Sequence, residues 1–180
     1  MKRPARHATP PPVEVHVRQQ DILSAEADAL GCLVTPSLDP ADDASRRIFA
    51  AGGDSLRDDI RWAVAGRGGP VLEPGEALTV PVRREYPVDR VGVLILAVLA
   101  EEPSPEGAEA LVLGAFLREV LDWGFESVAL PVSERGLGVT LPVATRLLAR
   151  LSREKRPLPR RLSLLARDAR LLDGLPSATA

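Results

Sequence analysis

The chain contains no asparagine, only two glutamines (the adjacent pair Gln19 and Gln20), one methionine at position 1 and one cysteine, Cys32. A lone cysteine excludes an internal disulfide and any multi-cysteine metal site. Two histidines, His7 and His16, are too few for an imidazole-built zinc centre, so no metal and no cofactor is expected. Lysine is also scarce. Of 23 basic residues only Lys2 and Lys155 are lysines, leaving 21 arginines, so arginine is a background here and a single one carries little functional weight. The longest apolar run, VGVLILAVLA at 91–100, is about half the roughly 20 residues a membrane-spanning helix needs, so no membrane partner is expected. The opening, MKRPARHATPPPVEV, is basic and turns to proline where a secretory signal needs an apolar centre, and cytoplasmic residence is the expectation.

What remains is the composition of a folded globular protein: 180 residues, 45% hydrophobic, 27% charged, formal net charge −2. That length suits one well-cored domain. Residues 1–12 form a basic, proline-rich arm, 13–175 a single domain and 176–180 a tail. VEVHVRQQ at 13–20 alternates as a half-exposed strand does, and LGCLVT at 30–35 reads as a buried strand ended by Pro36. One helix begins near Ala44, and Asp54 can cap a helix that runs through 62–65 to Gly66. LTVPV at 78–82 and VGVLILAVL at 91–99 read as strands, the second without polar alternation and therefore central in the sheet.

Ser104 and Pro105 start a helix whose stripe is Leu113, Phe116, Leu117, Val120 and Leu121, with its stop at Gly124. SVALPV at 127–132, a helix opened by Pro142 and LSLLA at 162–166 complete the pattern. Strands joined through whole helices imply parallel pairing and a layered α/β domain. Ligands in such sheets bind beyond the carboxyl ends of the strands, which points to 20–24, 35–46, 100–105, 133–141 and 167–171. Within 133–141, the glycines of SERGLGVTL permit close approach of a phosphate to main-chain N–H groups, or simply a tight strand-to-helix turn.

Several segments in this order resemble one family. QDILSAEADALGCLV at 20–34, RRIFAAGGDSL at 46–56, GEALTV at 75–80 and SVALPVSERGLGVTLP at 127–142 are similar to successive motifs of macro domains, across about residues 13–168. The resemblance implies a three-layer α/β/α sandwich with a mixed, mostly parallel sheet of about six strands. It also implies ADP-ribose or a related nucleotide as ligand. By that likeness Asp21 would accept from the adenine amino group and the Ile22 N–H would meet the ring. Gly136, Leu137 and Gly138 would cradle the diphosphate, Ser133 and Arg135 of the same loop would also contact the ligand, and Thr35 would face the distal ribose. An Asp21 that merely caps the turn after the first strand is the alternative.

The chain departs from the family where activity resides. Two asparagines that end the second strand in active members are Cys32 and Thr35 here, and DPADDASR at 39–46 has no glycine where the family has a glycine-rich loop. Asp39, Asp42 and Asp43 would repel a diphosphate unless they are turned away or neutralised. Asp42 and Asp43 are the candidates for a water-activating residue, although as a solvated acidic loop they also suit the start of the next helix. No aromatic residue follows Phe125, so an adenine-stacking ring near the last strand is missing. Cys32, in an apolar strand, reads as an inert buried thiol.

Segment 146–170 holds nine basic residues against Glu154 and Asp168, and offers a face for nucleic-acid phosphates or simply a solvated helix. Three functions follow in order: a divergent nucleotide-binding module without efficient turnover, a structural or nucleic-acid-binding domain with a decayed ligand site, and an ADP-ribosyl hydrolase. The scarcity of thermolabile side chains with 17 prolines fits a hot-adapted protein. A calorimetric melting temperature above the mesophile range of about 45–65 °C is expected, and a value inside that range contradicts hot adaptation.

Overall fold

A computed structural model describes residues 13–68, 72–86, 88, 90–99, 105–132 and 158–172. In chain order these form β1 (Glu14–Gln19), a 3₁₀ turn (Ile22–Ser24), β2 (Ala27–Val34), α1 (Asp43–Gly66), β3 (Ala77–Pro81), β4 (Val91–Val98), α2 (Pro105–Trp123), β5 (Ser127–Pro131), β6 (Arg161–Ala166) and a second 3₁₀ turn (Ala169–Leu172). The six strands make one sheet in the order β1-β6-β5-β2-β4-β3. Every pairing is parallel except that of β3 with β4.

Strand alternation splits the core into two layers, one on each face of the sheet. Leu30, Cys32 and Val34 of β2 pack with Ile48, Phe49, Leu56, Ile60 and Val64 of α1. Ala29 and Leu33 face the other way, onto Leu113, Phe116, Leu117, Val120 and Leu121 of α2, the stripe expected from the sequence. Burial of each such large apolar side chain stabilises the fold by about 1.5–3 kcal/mol before the entropy of ordering it is subtracted. The layered α/β domain expected from the pattern, and the three layers the resemblance implies, are what this packing builds. No helix among the described residues is long and apolar enough to cross a membrane.

Two expectations are refined. The two helical signals near Ala44 and Asp54 belong to one element, because α1 runs through both and bends at Gly53, whose φ of 58° and ψ of −149° only glycine adopts cheaply. The strand expected to be central, β4, lies one place from the edge, between β2 and β3. It has no polar alternation because α1 and α2 still cover both faces, Leu94 and Leu96 packing on one side and Ile95 and Ala97 on the other. The helix expected from Pro142 lies outside the described residues.

Polar clasps fix the register. Asp28 of β2 accepts from the N–H groups of Glu126 (3.0 Å) and Ser127 (2.7 Å), while its own N–H donates to the Ser127 hydroxyl (3.0 Å). The start of β5 is thereby locked to β2. On the far side, the Tyr86 hydroxyl donates to Asp59 of α1 at 2.5 Å and Arg83 pairs with the same carboxylate, which holds the turn before β4 against the helix. At the crossing of β2 and α2 there is no room for a side chain: a Cβ on Gly31 would lie 2.6 Å from Leu130 Cδ2 and 3.0 Å from Phe116. Gly31→Ala is therefore expected to cost about 1–3 kcal/mol, read as a lower urea midpoint at unchanged slope. An unchanged midpoint would contradict this packing.

Candidate functional site

Because β1, β6, β5 and β2 are parallel, their carboxyl ends open on one edge of the sheet, and a cleft of about 930 Å³ lies there. Its walls come from Gln19, Gln20 and Ile22 after β1, from Ala41 to Ala44 with Arg46 and Arg47 at the start of α1, from Pro131 and Val132 at the end of β5, and from Leu165, Arg167, Asp168, Ala169 and Leu171 at and beyond β6. That volume is in the range of small-molecule sites.

Asp21 is held by two contacts. Its Oδ1 caps the 3₁₀ turn by accepting from the Leu23 N–H at 3.0 Å, and its Oδ2 accepts from Arg47 Nη2 at 2.6 Å. The Arg47 hydrogen bond is the largest influence on its ionisation and lowers its pKa, against a smaller opposing effect of burial, with the Leu23 N–H also lowering it. Asp21 therefore acts in the turn-capping role, and the carboxylate also ties that turn to α1. Ile22, buried at 4% exposure, is a cleft wall.

Asp42 is the N-cap of α1. It is 4% exposed, and its Oδ1 accepts from the Ser45 N–H at 2.7 Å. Its Oδ2 is buried without a hydrogen-bond partner among the described residues. Ser45 in turn accepts from the Leu33 N–H at 2.8 Å, so the cap is stitched to β2. Asp43 is exposed, 3.8 Å from Arg46. Asp39 is exposed and does not line the cleft. The acidity of this loop is thus partly neutralised and partly turned away.

Thr35 is not brought to the cleft: its N–H donates to the Asp39 carbonyl at 2.8 Å and its hydroxyl accepts from the Asp39 N–H at 3.2 Å, closing a turn in which Leu38 has a φ of 66°. Ser133, Arg135, Gly136, Leu137 and Gly138 lie outside the described residues, but the chain leaves β5 for them at Val132, on the cleft wall. Of the basic segment, residues 146–157 also lie outside. Arg160 lies 3.7 Å from Glu126 and Arg170 2.5 Å from Asp168, which holds the Asp168 pKa down at about 2.

Arg47 is the site residue that sequence reasoning missed, and Arg167, within the strand-end segment 167–171, is counted there only among the basic residues of 146–170. Both act on Asp21. Among 21 arginines no composition signal marks them; the hints are positional, Arg47 just inside a helix whose start faces the carboxyl ends of the strands and Arg167 in the segment that leaves the last strand. Cys32 is fully buried, and desolvation pushes its thiol up to about 12, so no thiolate is present near neutrality. Among the described residues no cluster of three His, Cys, Asp or Glu is placed to hold a metal ion.

The ion pair has a measurable consequence. A carboxylate whose pKa is lowered on folding contributes stability that is complete above the ordinary value of about 4 and fades as pH falls through the folded value. The fall in urea midpoint between pH 5 and pH 3 is expected to be smaller in Asp21→Asn than in the wild type. Identical acid limbs would show that the Arg47 contact stabilises nothing.

No family model matches the chain, and no curated protein matches it in sequence. Solved structures do match in shape. A macrodomain of Oceanobacillus iheyensis with MES bound superposes with a TM-score of 0.65 at 16% identity, over 87% of this chain and 84% of that one. The macro domain of ganglioside induced differentiation associated protein 2 gives 0.63 at 16%, over 85% and 77%. A Trypanosoma brucei macrodomain in complex with ADP-ribose gives 0.63 at 13%, over 88% and 66%. At such identities the likeness speaks for architecture, and the mixed, mostly parallel six-stranded sheet with helices is consistent with it: this chain has the macrodomain fold.

Proposed function

We propose that the chain binds ADP-ribose or a closely related nucleotide in the cleft beyond β1, β5 and β6 and turns it over poorly. The observation that carries this reading is the cleft itself, about 930 Å³ at the carboxyl edge of a parallel sheet, with a 24-residue helix opening onto it. The first N–H groups of a helix have no partners within it and carry a partial positive charge, so an anion is favoured at that end. Arg47 and Arg167 reinforce it. Arg47 shares its charge with Asp21, whereas Arg167 has no carboxylate partner among the described residues and stands on the wall free to meet a phosphate. Structural neighbours of this fold have been solved with ADP and with ADP-ribose, which supports the same ligand class.

The ligand would also relieve a local cost. Asp42 Oδ2 sits without a donor just beneath the cleft wall, and a buried carboxylate oxygen in that state is expensive. A ribose hydroxyl supplies the missing donor after a small shift of the wall. In this reading Ile22 forms the apolar side of the base pocket, and the 133–138 loop covers the diphosphate through main-chain N–H groups. Asp21 meets the adenine amino group only with the lone pairs that Leu23 and Arg47 leave over.

Hydrolysis fits the geometry less well. A general base needs a carboxylate held within reach of a water on the substrate. Asp42 is committed to capping α1 and Asp43 is an exposed partner of Arg46. Asp42→Ala is expected to destabilise the protein by about 1 kcal/mol through the lost cap. At saturating substrate it is expected to leave slow ADP-ribosyl release as slow as before, and so is Asp43→Ala.

ADP-ribose at a hundredfold excess over its dissociation constant stabilises a protein by roughly 2.7 kcal/mol, a clear rise in melting temperature. That rise is expected in the wild type and should shrink in Arg167→Ala. No rise at millimolar ADP-ribose contradicts the binding reading. Release of ADP-ribose from a modified protein that collapses in Asp42→Ala while the fold persists contradicts the poor-turnover reading.

A further inference from the structure

On the α1 side of the sheet, α1 packs mainly on β2 and β3. The residues of β1 and β6 that point to this side include Arg18, Arg161 and Ser163 beside the buried Leu165, whereas Val13, Val15, Val17, Leu162 and Leu164 turn to the opposite layer. A second cavity of about 220 Å³ lies on this face, lined among the described residues by Arg18, Gln20, Glu26, Ala129, Arg161, Ser163 and Leu165. Gln20 and Leu165 also line the main cleft, so the two spaces share a wall. Gln20 is fixed there by its amide, which donates to the Ser24 carbonyl at 2.7 Å.

The polar groups around this cavity are unbalanced. Arg18 meets only the ring of His16, at 3.4 Å, and Arg161 has no side-chain partner among the described residues. Glu26, the one carboxylate among the described lining residues, is already paired with Arg90. Ser163 is 9% exposed, and no hydrogen bond satisfies its hydroxyl among the described residues. Two guanidiniums without a carboxylate partner and the Ser163 hydroxyl, which no described group hydrogen-bonds, therefore surround a space too small for a nucleotide. Guanidiniums bind oxyanions through paired N–H donors. Donors arriving from β1 and from two positions of β6 suit a tetrahedral group with several acceptor oxygens better than a flat carboxylate.

We infer that the cavity between Arg18, Arg161 and Ser163 is an anion subsite for a phosphate group, set beside the main cleft. The phosphate is either free or carried on the adenosine side of a nucleotide seated in the cleft, since the shared wall adjoins Asp21 and Ile22. The second case rests on the nucleotide reading above; the first does not.

The test uses the full chain and inorganic phosphate, followed through backbone amide shifts, with ADP-ribose and ADP-ribose bearing an extra phosphate on its adenosine ribose as further arms. Inorganic phosphate is expected to shift the Arg18, Arg161 and Ser163 amides saturably. Affinity should be at least about tenfold weaker in Arg18→Ala/Arg161→Ala, since both charged contacts are lost. Both arginines are exposed, so this variant is expected to fold, and Ser163→Ala, which keeps both charges, should weaken binding only a few-fold. If the phosphate is carried by the nucleotide, the phosphorylated ligand binds more tightly than ADP-ribose in the wild type and equally in the double variant. If it is free, the two nucleotides bind alike and inorganic phosphate alone saturates the site. Phosphate affinity unchanged in the double variant, or no saturable phosphate effect together with no preference for the phosphorylated nucleotide, overturns the proposal. Phosphate binding without ADP-ribose binding leaves this subsite standing and removes the nucleotide reading instead.

Discussion

Parallel pairing of β1, β6, β5 and β2 is the constraint from which the rest follows. Each connection must return the chain to the same starting edge, so four strand ends and the segments that leave them gather at the opposite edge. Segments far apart in sequence, those after residues 19, 41, 131 and 165, therefore share one cleft without having to pack on one another. The Asp28 clasp to β5 and the tight Gly31 crossing fix the pair at the centre of this arrangement. The Asp21–Arg47 pair and the Asp42–Ser45–Leu33 chain then anchor the first turn and the start of α1 around the cleft mouth.

Much of this frame was legible in the residues. Alternation in 13–20, the apolar runs at 30–35 and 91–99, the Leu113–Leu121 stripe and the strand endings each carry a periodicity that solvent exposure enforces. The continuity of α1 was not legible, since Gly53 interrupts the helical signal without ending the element. Nor was the edge-ward place of β4, because cover by helices on both faces erases polar alternation wherever in the sheet a strand lies. The pairing of β1 with β6 joins residues nearly 150 positions apart, a distance over which no local pattern speaks.

The site divided along the same line. Ile22, Asp42 and Asp43 reach the cleft as the strand-end rule indicates, but what Asp42 and Asp21 do there depends on Ser45 and Arg47, which only the fold brings near. Thr35 belongs to its own turn with Asp39. Arg47, Arg167, Arg18 and Arg161 carry the electrostatics of both cavities, and a chain so rich in arginine conceals them. In a protein without asparagine, polar recognition falls on guanidiniums, carboxylates, the Ser163 hydroxyl, the amides of Gln19 and Gln20 and the main chain. Those are the groups found at the two cavities.

The central claim is that the edge where parallel strands end is a nucleotide site even though the family's amide side chains are gone. Amide shift mapping of the folded protein with ADP-ribose tests it most directly. Saturable changes clustered at Ile22, Ala44, Arg47, Val132 and Arg167 are the expected result. Changes confined to other surfaces, or none at millimolar ligand, would contradict the account.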